Sequence, residues 1–577
     1  MNRRSHVALA AAIAASLTLG LGACSSSNNS NGGGQAGVTT QGDGIIGGTP
    51  VKGGTLTILS NQDFDQLDPA RNWTMPVMDV GVRMLYRTLT TFKAAPGADG
   101  LKLETDLATD LGTPSDNART WTFHLKDGLK YEDGTPIVAD DVKYNVERSF
   151  SPELPGGPDY AVRYLNAPAG YQGPLGGRRL GPEAIEVPDA KTIVFHLKRP
   201  VAEFGYTVSL PTFSPVPKAK ETGANYSNHP VSSGPYKIES YDRGKRMVLV
   251  RNTEWDAATD PVRKAYPDRI VVDQTLKGTG IADRLIADQG DDKNALSYVD
   301  LTPAKISEVL TDPEVKSRLI SESGGCTTML EMNTTKAPFD NAKVRRAMQY
   351  AVDKESFTAA MGGPAFNEIA TTYLPPALTS GAPVDHFMIK PAGDPDKAKQ
   401  LLADAGLPNG FDTELVTSTG GKQQAEALQA ALKRAGVNVT ITTVDPTAVN
   451  SIVGDKDKQP GLTQLGWCPD YPSAATFLPM IYDGRLIKDK GNNGNMTRFN
   501  DPEVNAELDR IAAMDDLQKA NAAWLDLDAR IMDASPAVPL VWQKKPLLVG
   551  SNIAGAFGSP IWSGQIDYAV IGLKSVK

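Results

Sequence analysis

The chain is poor in the residues that most often carry chemistry. It has three cysteines, Cys24, Cys326 and Cys468, and five histidines, at 6, 124, 196, 229 and 386. None of these falls at metal-ligand spacing, so no zinc site is read. GxSxG, HExxH and GxxxxGK[ST] are all missing, which removes the usual signatures of an α/β-hydrolase, a zincin and a P-loop enzyme. The acids are scattered, as solvated faces usually are. Past residue 23 no stretch reaches the length of a membrane-spanning apolar run. The balance of charge is negative, −8 in all, which argues against a nucleic-acid partner. No catalytic residue, metal or cofactor is assigned.

What is present begins at the N-terminus. Arg3 and Arg4 precede VALAAAIAASLTLGLGA, residues 7–23, a short uncharged run with the form of a secretory signal. It ends in Leu21-Gly22-Ala23-Cys24. The LGAC ending resembles a bacterial lipobox, in which the cysteine becomes the lipidated first residue of the mature chain. That reading makes Cys24 an anchor to the cell membrane rather than part of a spanning helix. An ordinary secretory signal with an incidental cysteine is the alternative. Removing residues 1–23 takes away Arg3 and Arg4 and no acid, moving the net charge from −8 to −10. Residues 24–52, rich in Ser, Asn and Gly and without an aromatic residue, cannot bury a core and read as a flexible tether. With Cys24 committed to lipid, Cys326 and Cys468 are left as an even pair. An oxidising compartment favours a disulfide between them, with two free thiols as the alternative.

The body that follows is long enough for two or three lobes. Residues 54–59, 119–125 and 191–197 alternate as strands do. His124 and His196 sit in the polar phase of two of these and read as solvated strand-face residues. The Pro- and Gly-rich stretch 152–182 reads as a long loop. Further on, Asp394 caps a helix with Pro395 in its first turn. Leu401, Leu402 and Ala405 form its buried face and Gly406 its stop. A strand at 413–418 follows. Then comes a helix with Leu428, Ala431, Leu432 and Ala435 on one face, and a strand in which Val437, Val439 and Ile441 alternate with polar residues. This β-α-β order predicts an α/β lobe with a mostly parallel sheet.

Eight motifs in order carry a resemblance over the whole body from residue 53 onward. They are GGTLTI with LDPA (67–70), TWTFHLKDGLKYEDGTPIVADDVKYNVER (120–148), SPVPKA (214–219), VSSGPYKI (231–238), LEMNTTKAPFDNAKVRRAM (330–348), AKQLLADAG (398–406), GWCPDYP (466–472) and AVPLVW (537–542). In these the chain resembles the extracytoplasmic solute-binding proteins of ABC importers, in the peptide/nickel-binding family (solute-binding family 5), and most of all its oligopeptide-binding members. The resemblance implies an α/β, two-lobe periplasmic-binding-protein-like fold (type II, cluster C), with an extra subdomain in the first lobe and a ligand cleft between the lobes. The implied division is 53–95 with 225–325 and 538–577 as the main lobe, 96–224 as the extra subdomain and 326–537 as the second lobe.

The resemblance also assigns residues. Cys326 and Cys468 match a disulfide of the oligopeptide-binding relatives. Asp470 matches the aspartate that pairs with the α-ammonium of a bound peptide. Gly466 and Cys468 would offer backbone groups to a peptide laid alongside as an added strand, and Trp467 and Trp542 would line side-chain pockets. The implied protein is a monomeric, non-enzymatic, lipid-anchored receptor that hands peptides to an ABC permease and its ATPase. At one position the pattern departs. Some relatives carry an arginine for the ligand carboxylate where this chain has Gln464, and none of Lys422, Arg434 and Arg498 is assignable to that role from sequence. Rival readings are the same fold with a nickel chelate, an oligosaccharide or another solute, a peptide sensor without import, and a surface hydrolase.

Overall fold

The computed structural model describes residues 44–576 apart from 65, 73, 277–278, 379–384 and 492. The signal-like run, Cys24 and the stretch up to residue 43 lie outside the described residues. Residues 44–52, which close the expected tether, contact the body: Ile46 bridges Ala556, and Val51 bridges Leu573. No helix among the described residues is long and apolar enough to cross a membrane.

One sheet has five strands in the order Ala295–Ser297, Thr55–Leu59, Arg269–Asp273, Arg246–Arg251, Tyr236–Asp242. Thr55–Leu59 runs parallel to both neighbours, with Ile58 beside Val272 and Leu296. Leu56 and Ile58, the alternate apolar residues of its GTLTIL sequence, are fully buried. A separate antiparallel sheet joins Thr113–Ser115, Thr120–His124, Thr192–His196 and Ile185–Asp189. Phe123 and Phe195 point into its core against Phe204. His124 lies in the outward phase beside Asp110, as the alternation predicts.

Two quoted motifs turn out to be partners. Arg148, at the end of NVER, grips Asp68 of LDPA with both terminal nitrogens, at 2.6 and 2.8 Å. Its Nε also reaches Glu221. Both Arg148 and Asp68 are fully buried, so the pair is a fork-to-carboxylate bond that fixes register rather than a solvated surface contact.

The third sheet has six strands, in the order Asn367–Ile369, Ala537–Leu548, Leu319–Met332, Leu462–Trp467, Phe411–Ser418, Val437–Val444. Its far edge is the expected β-α-β unit. Asp394 caps the helix Pro395–Asp404 through the Lys397 amide, and Gly406 stands at φ 87° just past its end. The helix Lys422–Arg434 buries Leu428, Ala431 and Leu432. The sheet is mixed, however, not mostly parallel. Phe411–Ser418 is parallel to both its neighbours, whereas every other pairing is antiparallel. The reason is that Leu319–Met332 and Ala537–Leu548 enter the middle of the sheet from remote parts of the chain, which a local β-α-β pattern does not register.

These two long strands pair with each other over nearly their full length, from Leu319 opposite Leu548 to Glu331 opposite Ala537. The ladder is interrupted between Ser323 and Thr327, where Gly324, Gly325 and Cys326 lie. Beyond Leu548, Val549 bridges Leu296 of the first sheet. The pair thus runs from the edge of one sheet into the centre of another.

Candidate functional site

The GWCPDYP segment is where the strand Leu462–Trp467 leaves the six-stranded sheet. Gly466 stands opposite Thr328 and Trp467 opposite Thr327. A Cβ on Gly466 would lie 2.6 Å from the Thr327 carbonyl oxygen, so only glycine lets the two backbones approach this closely. Cys468 then bonds Cys326 in a disulfide, as expected. Thr476, fully buried, organises the following turn. Its carbonyl accepts from Trp467 Nε1 at 2.8 Å, and its hydroxyl accepts from the Asp470 amide at 3.2 Å. The same hydroxyl donates toward the carbonyls of Tyr471 and Ser473.

The turn delivers Asp470 and Tyr471 to a distant part of the chain. The Tyr160 hydroxyl donates to Asp470 Oδ2. The Tyr471 ring lies 5.5 Å from that of Tyr160 and 6.4 Å from that of Tyr206, and the Thr207 hydroxyl donates to Tyr471 Oη. Arg163 stacks over the Tyr160 ring at 4.6 Å and pairs with Asp159 through Nε. Burial pushes the Asp470 carboxyl up to about 6, against the opposing pull of the Tyr160 hydrogen bond and the Arg163 charge. Burial and the neighbouring Asp470 charge raise the Tyr160 phenol well above its usual range, so it stays a donor.

Tyr160 and Arg163 belong to a short helix, Tyr160–Tyr164, inside the stretch expected to be loop throughout. Five residues flanked by Pro and Gly carry too little periodicity to mark a helix in the sequence. The sequence signal that remained was the concentration of Tyr and Arg, which are enriched at binding surfaces.

A cleft of about 660 Å³ opens between these two regions. Gly157, Asp159 and Arg163 form one side, and Leu465, Gly466, Trp467, Met480 and Ile481 the other, with Glu331, Asn450, residues 485–488, Asn493, Gly494 and Met496 around them. Gly466 and Trp467 therefore line the cleft, and Cys468 and Asp470 follow them in the chain. Trp542 does not line it: the residue is 2% exposed and sits within the sheet opposite Thr327 and Glu368, a core position. The three cations weighed for a ligand carboxylate are engaged elsewhere. Lys422 faces Glu426, Arg434 faces Asp353, and Arg498 is buried against Gln459. The cleft brings its own cations. Arg163 pairs with Asp159, and Arg485 pairs with Asp483 and Asp509. Lys488 has no ion-pair partner among the described residues. No group of His, Cys, Asp and Glu among the described residues could hold a metal ion.

Comparison with known proteins agrees with this geometry. Residues 102–488 match the family described as bacterial extracellular solute-binding proteins, family 5 Middle. Heme-binding protein A of Haemophilus influenzae is 26% identical over 505 residues, 83% of this chain and 85% of its own length. The glutathione-binding protein GsiB of Salmonella typhimurium is 26% identical over 79% of this chain and 84% of its own. Among solved structures, clavulanic acid biosynthesis oligopeptide binding protein 2 superposes with a TM-score of 0.86 at 35% identity, covering 93% of this chain and 99% of that one. The periplasmic binding protein DppA from Helicobacter pylori, in complex with peptide STSA, shares the fold at 21% identity and a TM-score of 0.69, covering 91% and 99%.

Proposed function

The chain belongs to family 5 of the bacterial extracellular solute-binding proteins, the receptors of ABC importers, and from that premise we propose that its ligand is a peptide whose α-ammonium is held by Asp470. The observation that carries this reading is the position of that carboxyl. It is drawn out of water next to the cleft-lining strand, and among the described residues Tyr160 alone hydrogen-bonds it. A peptide lying along Gly466 and Trp467 would place its amine at this end. Peptides differ in their side chains but share the backbone and the amine, so a receptor for many of them grips those. Lys488 is the available cation for the opposite, carboxylate end, where Gln464 cannot serve. The lobes of the receptor divide at the interrupted ladder around residues 323–327, with 96–224 as the subdomain that supplies Tyr160. The mature protein is a monomer held at the outer face of the membrane by lipid on Cys24, and it passes its ligand to a permease and its ATPase.

The test is calorimetry on a tripeptide and its N-acetylated form, with the wild type and Asp470→Asn. Either change alone leaves one buried group unpaired and lowers affinity by about two to three orders of magnitude, roughly 3–5 kcal/mol. Together they lose little more, since both delete the same contact. Equal binding of free and acetylated peptide by the wild type refutes the reading. The heme-binding relative marks the alternative, a ligand without an amine, for which neither change matters.

A further inference from the structure

The strand Leu319–Met332 alternates cleanly near its end. Leu330 and Met332 enter the core formed with Val344, Leu402 and Leu462, while Met329 faces the opposite way, toward Tyr373, Phe477 and Tyr482. Glu331 shares the phase of Met329. It is an acid in a run of buried residues, 5% exposed, and what remains exposed faces the cleft. Among the described residues its Oε2 has no hydrogen-bond partner. The Tyr482 hydroxyl donates to Met329 Sδ. Of the cleft cations, Arg163 and Arg485 have acids of their own, and Lys488 exerts no pull on Glu331.

A buried, unpaired carboxyl is costly, and a leucine or methionine there would serve stability better. The cleft that Glu331 faces is lined by the apolar side chains Leu465, Met480, Ile481 and Met496, with Trp467 beside them. A long apolar stem carrying a terminal cation fits such walls and such a floor. We propose that Glu331 is the floor of a side-chain subsite that selects a basic residue, lysine or arginine, of the bound peptide. The inference rests on the peptide reading above. Burial alone, with no nearby cation to oppose it, holds the Glu331 carboxyl up to about 8. A lysine entering the subsite converts it to the carboxylate and expels its proton. A neutral side chain leaves it protonated, and an acidic one meets no partner.

The experiment uses three tripeptides with a single lysine at the first, second or third position. Each is matched with a norleucine peptide, which keeps the stem and lacks the charge. At one position the wild type binds lysine about tenfold or more tighter than norleucine. Binding that lysine peptide near neutral pH also releases close to one proton, read from calorimetry in two buffers of different ionisation heat, while its norleucine match releases none. In Glu331→Gln, and in Glu331→Met as a second variant, the preference disappears and the norleucine peptides keep their affinity. The inference is overturned if no position prefers lysine, if no differential proton is released, or if either variant retains the preference. If none of the six peptides binds, the peptide reading itself fails and takes this inference with it; if they bind without discrimination, only the Glu331 subsite fails.

Discussion

Burial of a single carboxyl, that of Asp470, lifts its proton affinity from the ordinary 3.8 to about 6. The folded state holds this proton more tightly than the unfolded chain does. The associated stability is therefore complete below the unfolded value and is lost as pH rises through about 6. Ligand binding has the opposite sign, because an ammonium pairs with the carboxylate. Peptide affinity should be flat near neutral pH and fall by up to about tenfold per unit below the Asp470 midpoint, while an N-acetyl peptide shows no such slope. Tyr160→Phe removes a hydrogen bond that favours the charged form, so the midpoint should move up. Calorimetric titrations from about pH 5 to pH 8 on both proteins measure it. A midpoint that stays in place would separate Tyr160 from the amine site.

At the element scale, Gly466 shows how a strand can be specified by one missing side chain. The Cβ of Gly466→Ala would meet the Thr327 carbonyl oxygen at 2.6 Å and Thr328 Cα at 3.2 Å, both backbone atoms that cannot rotate away. Parting the strands should cost about 1–3 kcal/mol in denaturant unfolding, and peptide affinity should weaken with the displacement of Trp467. Unchanged stability and affinity would mean that the close approach is not needed. Elements of this kind were legible from sequence in proportion to their regularity. The Asp394 cap, the Leu428–Leu432 face and the alternating strands carry periodicity and punctuation, and they lie where those signals put them. The helix holding Tyr160 and Arg163 has neither. Glu331 was visible within a quoted motif, but an acid in an apolar strand discloses its burial only when both neighbouring strands are known. Trp542 was the converse case, an aromatic whose place in the core depends on a strand from a remote segment.

At the scale of the whole molecule, distant motifs are explained by what they touch. LDPA and NVER, far apart in sequence, meet where Asp68 and Arg148 close one buried contact, and GWCPDYP meets Cys326 through the disulfide. Location is the part that the folded body does not determine. If lipid on Cys24 holds the protein at the membrane, Cys24→Ala should move nearly all of it from the membrane pellet to the soluble fraction, with peptide affinity unaltered. Retention in the pellet would disprove the anchor.

The two long strands, Leu319–Met332 and Ala537–Leu548, have a kinematic consequence. Two connections far apart would let the bodies they join rotate about several axes. Here the connections lie side by side and are laced together by hydrogen bonds on both sides of the gap at 323–327. Sliding one past the other would break the whole ladder, and twisting would strain it. Bending out of the ladder plane, at the short run where the lacing is missing, breaks no ladder hydrogen bond. That leaves the proposed lobes one soft coordinate, like the leaf of a door. If the proposed lobes part at this run, a single coordinate would separate Asp470 from Tyr160 and return it to the same place.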